Sequence, residues 1–340
     1  MSTYSGWFVV QKGRPTDALQ LKTGLPIPNT LRDGHVLVKV QAVALNPVGY
    51  KLMGAVPNFL ARRPHVAEGD VAGLIVDPNG SEFNAGDRVF GTLRHGSMAE
   101  YVVAPSSCLA LIPANVSSVE AAGLGVVVAT AYQGLVAKLK IESGQTVFIN
   151  GGSSGVGLSA IQIAKSMGCK VVATASGKNK ELLLSLGVDE FIDYTAAPLV
   201  EQLLAKPPSP KFHAILDAVG LTDPALYLNS ASYLAPGGAY ATAGDMPNTL
   251  SQLADVLRQL FEGFLRPTWL GGVPRKYIPF LINLGKEDLE TVRDLVARGA
   301  VKPIVDSVYS FDRDGVLKAY EKMMSKRAVG KVVVKVAQED

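Results

Sequence analysis

One short segment of the 340-residue chain concentrates residues suited to chemistry: Gly152-Ser153-Ser154-Gly155-Val156-Gly157, between the apolar run 145–150 and the amphipathic run 158–167. A strand, a glycine-rich turn and a helix in that order present backbone N–H groups and the positive end of a helix dipole to an anion. Gly152 and Gly157 fit the outer positions of a dinucleotide fingerprint, one for the tight turn and one for close helix–strand packing. Ser154 stands where the middle glycine lets pyrophosphate approach. The next strand-like run ends at Ser176, where an acid would bind ribose hydroxyls and repel a 2′-phosphate. Ser176 with Lys178 and Lys180 nearby suits the phosphate, so the expected cofactor is NADPH/NADP+ rather than NADH. The competing reading is a structural turn followed by solvated lysines at a helix start. The same stretch also matches G-x-S-x-G, the nucleophile elbow of serine hydrolases, through Gly151, Ser153 and Gly155. That chemistry needs a later histidine, and the only one downstream, His213, opens an apolar strand.

The elements that position this loop are legible from periodicity. Residues 1–120 read as short β elements at 36–43, 71–76 and 99–104, with a turn and strand at 86–91. Beyond about residue 123 the texture changes to a helix at 127–138, strands at 145–150, 170–175, 190–192, 213–216 and 238–243, and helices between them. Strands alternating with helices imply a parallel sheet covered on both faces, an α/β doubly wound class. The tail adds helices at 288–298 and 315–324 and a strand at 331–336. Net charge is +3, from 33 Lys+Arg against 30 Asp+Glu, which argues against nucleic acid or an anionic membrane as partner. Two distant cysteines, Cys108 and Cys169, fit a reducing compartment. With no leader-like start and no membrane span, the expectation is a cytoplasmic protein.

Taken in order, several short motifs make the chain similar to the zinc-free branch of the medium-chain dehydrogenase/reductase superfamily, the quinone oxidoreductase-like and enoyl-reductase-like proteins. They are Asn46-Pro47-Val48-Gly49-Tyr50-Lys51, Gly69-Asp70-Val71-Ala72-Gly73, Gly86-Asp87-Arg88-Val89-Phe90-Gly91 and Gly96-Ser97-Met98-Ala99-Glu100-Tyr101. Thr130-Ala131-Tyr132-Gln133-Gly134-Leu135, the Gly152–Gly157 loop, Asp217-Ala218-Val219-Gly220, Pro236-Gly237-Gly238 and Gly330-Lys331-Val332-Val333 complete the set. The resemblance implies a GroES-like, irregular β-rich substrate domain at 1–123 and 288–340, and a Rossmann NADP-binding domain at 124–287. It implies that Gly155, Val156 and their neighbours meet the pyrophosphate, and that Ser176, Lys178 (or Lys180) and Tyr194 surround the 2′-phosphate. Val219, Gly220 and Gly244 would line the ribose and nicotinamide, Asn46 would join the cofactor set, and Gly330-Lys331 would close over it. One departure is that the family usually carries an acid where Gly49 stands, which alters the hydrogen bonding expected there.

Zinc-bearing relatives use a Cys/His/Cys-type set and a four-cysteine lobe, which two cysteines cannot build. Near the expected ligand positions stand Leu45-Asn46 and Gly69-Asp70, and His35, His65, His95 and His213 show no ligand spacing. The expectation is therefore no metal, and hydride transfer to acceptors that spread charge by conjugation: a quinone, an enone or an enoyl group. By resemblance, Lys51 would stabilise an oxyanion or the cofactor ribose, Thr130 would orient the nicotinamide amide, and Tyr50 would flank the acceptor. Besides the hydrolase, a non-catalytic NADPH-binding scaffold or sensor stays open, favoured by Gly49. The apolar stretches 261–265 and 269–277 fit either a pocket lid or the edge of a homodimer.

Overall fold

The computed structural model describes residues 3–221, 223–243 and 250–337. The chain divides into two compact units, Thr130–Ile282 and Met1–Ala129 together with Asn283–Asp340.

In the unit Thr130–Ile282, buried runs such as Val147-Phe148-Ile149 form a six-stranded parallel sheet. Its order is Glu190–Asp193, Lys170–Ala175, Thr146–Asn150, Phe212–Asp217, Leu234–Thr242, Lys276–Pro279. The chain order thus reverses beside Thr146–Asn150, which defines the switch point of a Rossmann sheet, where the loops after neighbouring strands diverge. One core cluster is aromatic: Phe148 stacks on Phe212 at 4.9 Å, and Tyr227, Tyr240 and Tyr277 pack edge and face within 6.0 Å of one another.

Alternating Val residues in His35–Ala44 and three consecutive buried valines in Lys331–Lys335 pack the second unit around a mostly antiparallel seven-stranded sheet. Helix Arg313–Met324 lies against this sheet, with Val316, Ala319 and Tyr320 in a core that also takes Trp7, Val38, Val71 and Val332. A three-stranded sheet of Leu19–Pro26, Thr3–Val9 and His65–Val66 completes the β-rich, GroES-like body.

Three local departures from the periodicity have clear causes. The helix after the glycine loop starts at Gly155 rather than 158, because the Ser154 hydroxyl caps it from within the expected loop. A helix also forms at Pro47–Ala55, where proline at the first position and Asn46 before it set the entry. Finally, the end of the apolar stretch 269–277, read as a lid or dimer edge, enters the sheet. Helix Leu250–Leu260 widens into a π-turn at Phe261–Leu265, and Lys276–Pro279 then adds the sixth strand. Phe261, Phe264, Leu265 and Trp269 are exposed.

Candidate active site

The turn after Thr146–Asn150 is built on Gly151, at φ +80°, where a Cβ would stand 2.2 Å from the Val219 side chain. The left-handed residue is therefore Gly151, not Gly152 as the fingerprint suggested. Gly152 is required by packing instead: a Cβ there would press on Leu183 at 2.8 Å. Gly157 crosses the turn so closely that a Cβ would lie 2.1 Å from the Gly151 carbonyl oxygen. Ser154 is the N-cap, its Oγ accepting the Gly157 N–H at 3.0 Å and donating to the Gly151 carbonyl at 2.8 Å. The amides of Gly155 and Val156, at the first helical positions, precede any intrahelical acceptor. The loop thus keeps donors and a dipole end for an anion, in a cradle that side chains would fill. These residues fit a dinucleotide pyrophosphate.

Behind the loop runs a buried relay that the motifs alone did not single out. The Thr174 hydroxyl accepts the Gly151 N–H at 2.9 Å and donates to Asn150 Oδ1 at 2.8 Å, and Asn150 Nδ2 donates to Asp217 at 2.9 Å. Asp217, fully buried, also accepts the Val219 and Leu221 N–H groups at 3.2 and 2.7 Å and the hydroxyls of Tyr240 and Thr242 at 3.3 and 3.2 Å. One carboxylate at a strand end therefore fixes the loop bearing Val219 and Gly220 and, through Asn150 and Thr174, the phosphate turn. The signal was present: an acid closing an apolar strand has to be satisfied by something.

The ends of the second and third strands bring Ser176 and Tyr194 together, since Ala175 pairs with Asp193 and the Tyr194 N–H donates to the Ala175 carbonyl. Tyr194 is half exposed, and Lys178 and Lys180 follow Ser176 in exposed positions. Asp193, however, sits beside Gly177 and accepts from the Thr195 hydroxyl and N–H at 2.6 and 2.8 Å, which hold its carboxyl below the usual range. A negative charge therefore lies at the rim of the residues expected to meet a 2′-phosphate. Thr130 is buried within helix Gly125–Tyr132. Gly244 lies outside the described residues.

The β-rich unit gathers Asn46 and Lys331, 285 positions apart. The Lys331 ammonium donates to Asn46 Oδ1 at 2.7 Å, the Leu45 carbonyl at 3.0 Å and Asp70 at 3.1 Å, and Asn46 Nδ2 donates to Asp70 at 2.8 Å. Thr92 completes the set with a 2.6 Å bond to Asp70. Both side chains are thus committed to this buried cluster, and the Lys331 N–H donates to the Ile304 carbonyl at 3.0 Å. Gly330, at φ +92°, turns the chain into the last strand. The oxygens at the positions where zinc-bearing relatives carry ligands converge on an ammonium, with no thiol or imidazole among them; these residues do not fit zinc. Among the described residues no group of three or more His, Cys, Asp or Glu is arranged for a metal. His65 and His95 do face each other, ring centroids 4.9 Å apart, and burial holds both below the ordinary imidazole range.

Tyr50 and Lys51 ride on helix Pro47–Ala55. Its C-terminal carbonyls are held by Arg63, which donates to Met53 and Val56 at 3.1 Å each. At the other end, Glu68 accepts the Asn46 backbone N–H at 3.2 Å and the Tyr320 hydroxyl at 2.7 Å. Burial pushes the Glu68 carboxyl up to about 7, against the lowering effects of Tyr320, Asn46 and Lys331. The hydrolase pattern finds no partner in this geometry. His213 sits at the start of its strand accepting the Thr146 N–H, while Ser153 lies beyond the far end of Thr146–Asn150.

The fold and the dinucleotide cradle together define a pyridine-nucleotide-dependent oxidoreductase with a GroES-like body. Residues 32–114 match the alcohol dehydrogenase GroES-like domain and 186–334 the zinc-binding dehydrogenase domain. A trans-enoyl reductase of Aspergillus terreus is 35% identical, over 94% of this chain and 92% of its own length. An NADPH-dependent alkenal/one oxidoreductase of Arabidopsis thaliana is 30% identical, over 94% and 76%. The quinone oxidoreductase of Coxiella burnetii superposes with a TM-score of 0.80 at 24% identity, covering 99% of this chain and all of that one. The chain belongs to the medium-chain dehydrogenase/reductase superfamily.

Proposed function

We infer that the protein is a zinc-independent reductase that transfers hydride from NADPH to the conjugated C=C of an α,β-unsaturated carbonyl, or to a quinone. The observation that carries this reading is the cradle of Gly151, Ser154 and Gly157, with Ser176 and Tyr194 on adjoining strand ends. The enoyl and alkenal reductases among its relatives supply the acceptor class. The bound nicotinamide supplies the hydride. The amides of Gly155 and Val156 hold the pyrophosphate, Val219 and Gly220 line the ring's ribose, and Thr130 orients the carboxamide. Ser176, Lys178 and Tyr194 take the 2′-phosphate. Lys51 stabilises the developing enolate or hydroquinone oxygen, and Tyr50 flanks the acceptor.

The test is a panel of quinones, enones, alkenals and enoyl thioesters followed by NADPH absorbance, with NADH in parallel. We expect turnover with NADPH at a lower KM than NADH. In Lys178→Ala the NADPH KM rises about tenfold while that for NADH is unchanged, as loss of one charge-assisted phosphate contact predicts. A preference for NADH sinks the cofactor assignment. Tight NADPH binding with no oxidation by any acceptor would instead favour the scaffold or sensor reading.

A further inference from the structure

Helix Pro47–Ala55 lacks a side-chain cap: Asn46 stands at its N-cap, yet its side chain bonds Asp70 and Lys331 instead of the first-turn amides. At a helix start the usual remedy is an acidic or amide side chain three residues on, reaching back to the N-cap N–H. That third position is Gly49, which has nothing to reach with. A Cβ built on Gly49 falls 2.4 Å from Glu68 Oε1 and 3.0 Å from its carboxyl carbon. The space a side chain at 49 would occupy is filled by the Glu68 carboxylate, which accepts the same Asn46 N–H. Glu68 does so from a left-handed backbone, φ +55°, a conformation that favours glycine. A strained residue holding a buried acid against the start of the helix that bears Tyr50 and Lys51 is over-determined by its contacts, and such strain gathers at functional sites.

We propose that Glu68 is a positioning residue for the reduction. It supplies from the adjoining loop the carboxylate that position 49 lacks, and so sets the helix that presents Tyr50 and Lys51. The two positions act as alternatives, Gly49 with Glu68 or an acid at 49 with glycine at 68, and each fills one volume with one carboxylate. The activity readout rests on the reductase reading above; the stability readout does not.

The experiment is a reciprocal exchange in the full-length protein: Glu68→Gly, Gly49→Asp and the double variant, each measured for Tm and for kcat and KM toward the best acceptor and NADPH. Glu68→Gly removes the helix anchor and lowers kcat about tenfold or more, with the NADPH KM within about threefold of the parent, since misplacement of a reacting group falls on the chemical step. Gly49→Asp forces two carboxylates into one space and lowers both Tm and kcat. The double variant recovers kcat to within about threefold of the parent and melts above the worse single variant, a non-additivity expected only of residues that share a site. Full activity in Glu68→Gly, or a double variant as poor as the worse single, overturns the proposal. If the parent reduces nothing in the substrate panel, the reductase reading fails by itself, and the Tm exchange still decides whether Glu68 stands in for an acid at 49.

Discussion

Each unit buries a carboxylate beside residues singled out for the cofactor or substrate, and the two are satisfied very differently. Asp217, in the Rossmann unit, accepts from five donors spread over its own loop and the neighbouring strands. Glu68, in the β-rich unit, accepts from the Asn46 N–H and the Tyr320 hydroxyl, and the nearby Lys331 ammonium bonds Asp70 rather than Glu68. Burial alone therefore does not set the fate of an acid. Where donors replace the lost water, the carboxylate becomes a rigid hub; where too few do, desolvation keeps a proton within reach at neutral pH.

The hub is the place to break this comparison hardest. Asp217→Ala leaves two part-buried N–H groups, two buried hydroxyls and a buried amide without their acceptor, and should cost about 4 kcal/mol in denaturant unfolding. A loss under about 1 kcal/mol would mean that those donors find other partners and that Asp217 is no hub. Lys331→Met comes next, because it strands the buried Asp70 carboxylate with only Thr92 and Asn46 as donors; about 3 kcal/mol is expected, again by denaturant titration.

The smallest effect sharpens the contrast through pH. With Glu68 raised from 4.5 to about 7, the folded state keeps a proton that the unfolded chain has already lost. Stability therefore falls as pH rises through that window, by roughly 2.5 kcal/mol between pH 5 and 8, and levels off above it. The groups facing this carboxyl are the Tyr320 hydroxyl, the Asn46 N–H, the Lys331 ammonium and the Asp70 side chain. Glu68→Gln should flatten this part of the curve. A parent and variant with the same slope would remove Glu68 from the account.

The doubly wound sheet was legible in sequence because strand–helix alternation is a local signal; five of its strands were read from it, and the sixth, Lys276–Pro279, fell in a stretch read as a lid or dimer edge. The phosphate turn was legible in outline, yet its tight-turn role fell on Gly152 when the backbone needs Gly151. A run of two glycines gives no hint of which one takes positive φ, and the Val219 side chain that decides it is 68 positions away. Helix Pro47–Ala55 escaped because its apolar positions are few and it contains two glycines, so that entry chemistry rather than periodicity defines it. Asp217 was quoted within a motif without its role, since its donors come from separate strands. Glu68 was invisible for the same reason: the departure at Gly49 was noticed, but its compensation lies in a loop nineteen residues on, through a contact that only the folded chain makes.

Arg63 and Glu68 flank the short strand His65–Val66, yet they grip opposite ends of helix Pro47–Ala55, the cation at the carbonyl end and the acid at the amide end. The segment works as a pair of tongs on the helix, added to the entry that Asn46 and Pro47 set. Exchanging Arg63 or Glu68 is therefore a way to loosen one end of the helix that bears Tyr50 and Lys51 without altering either.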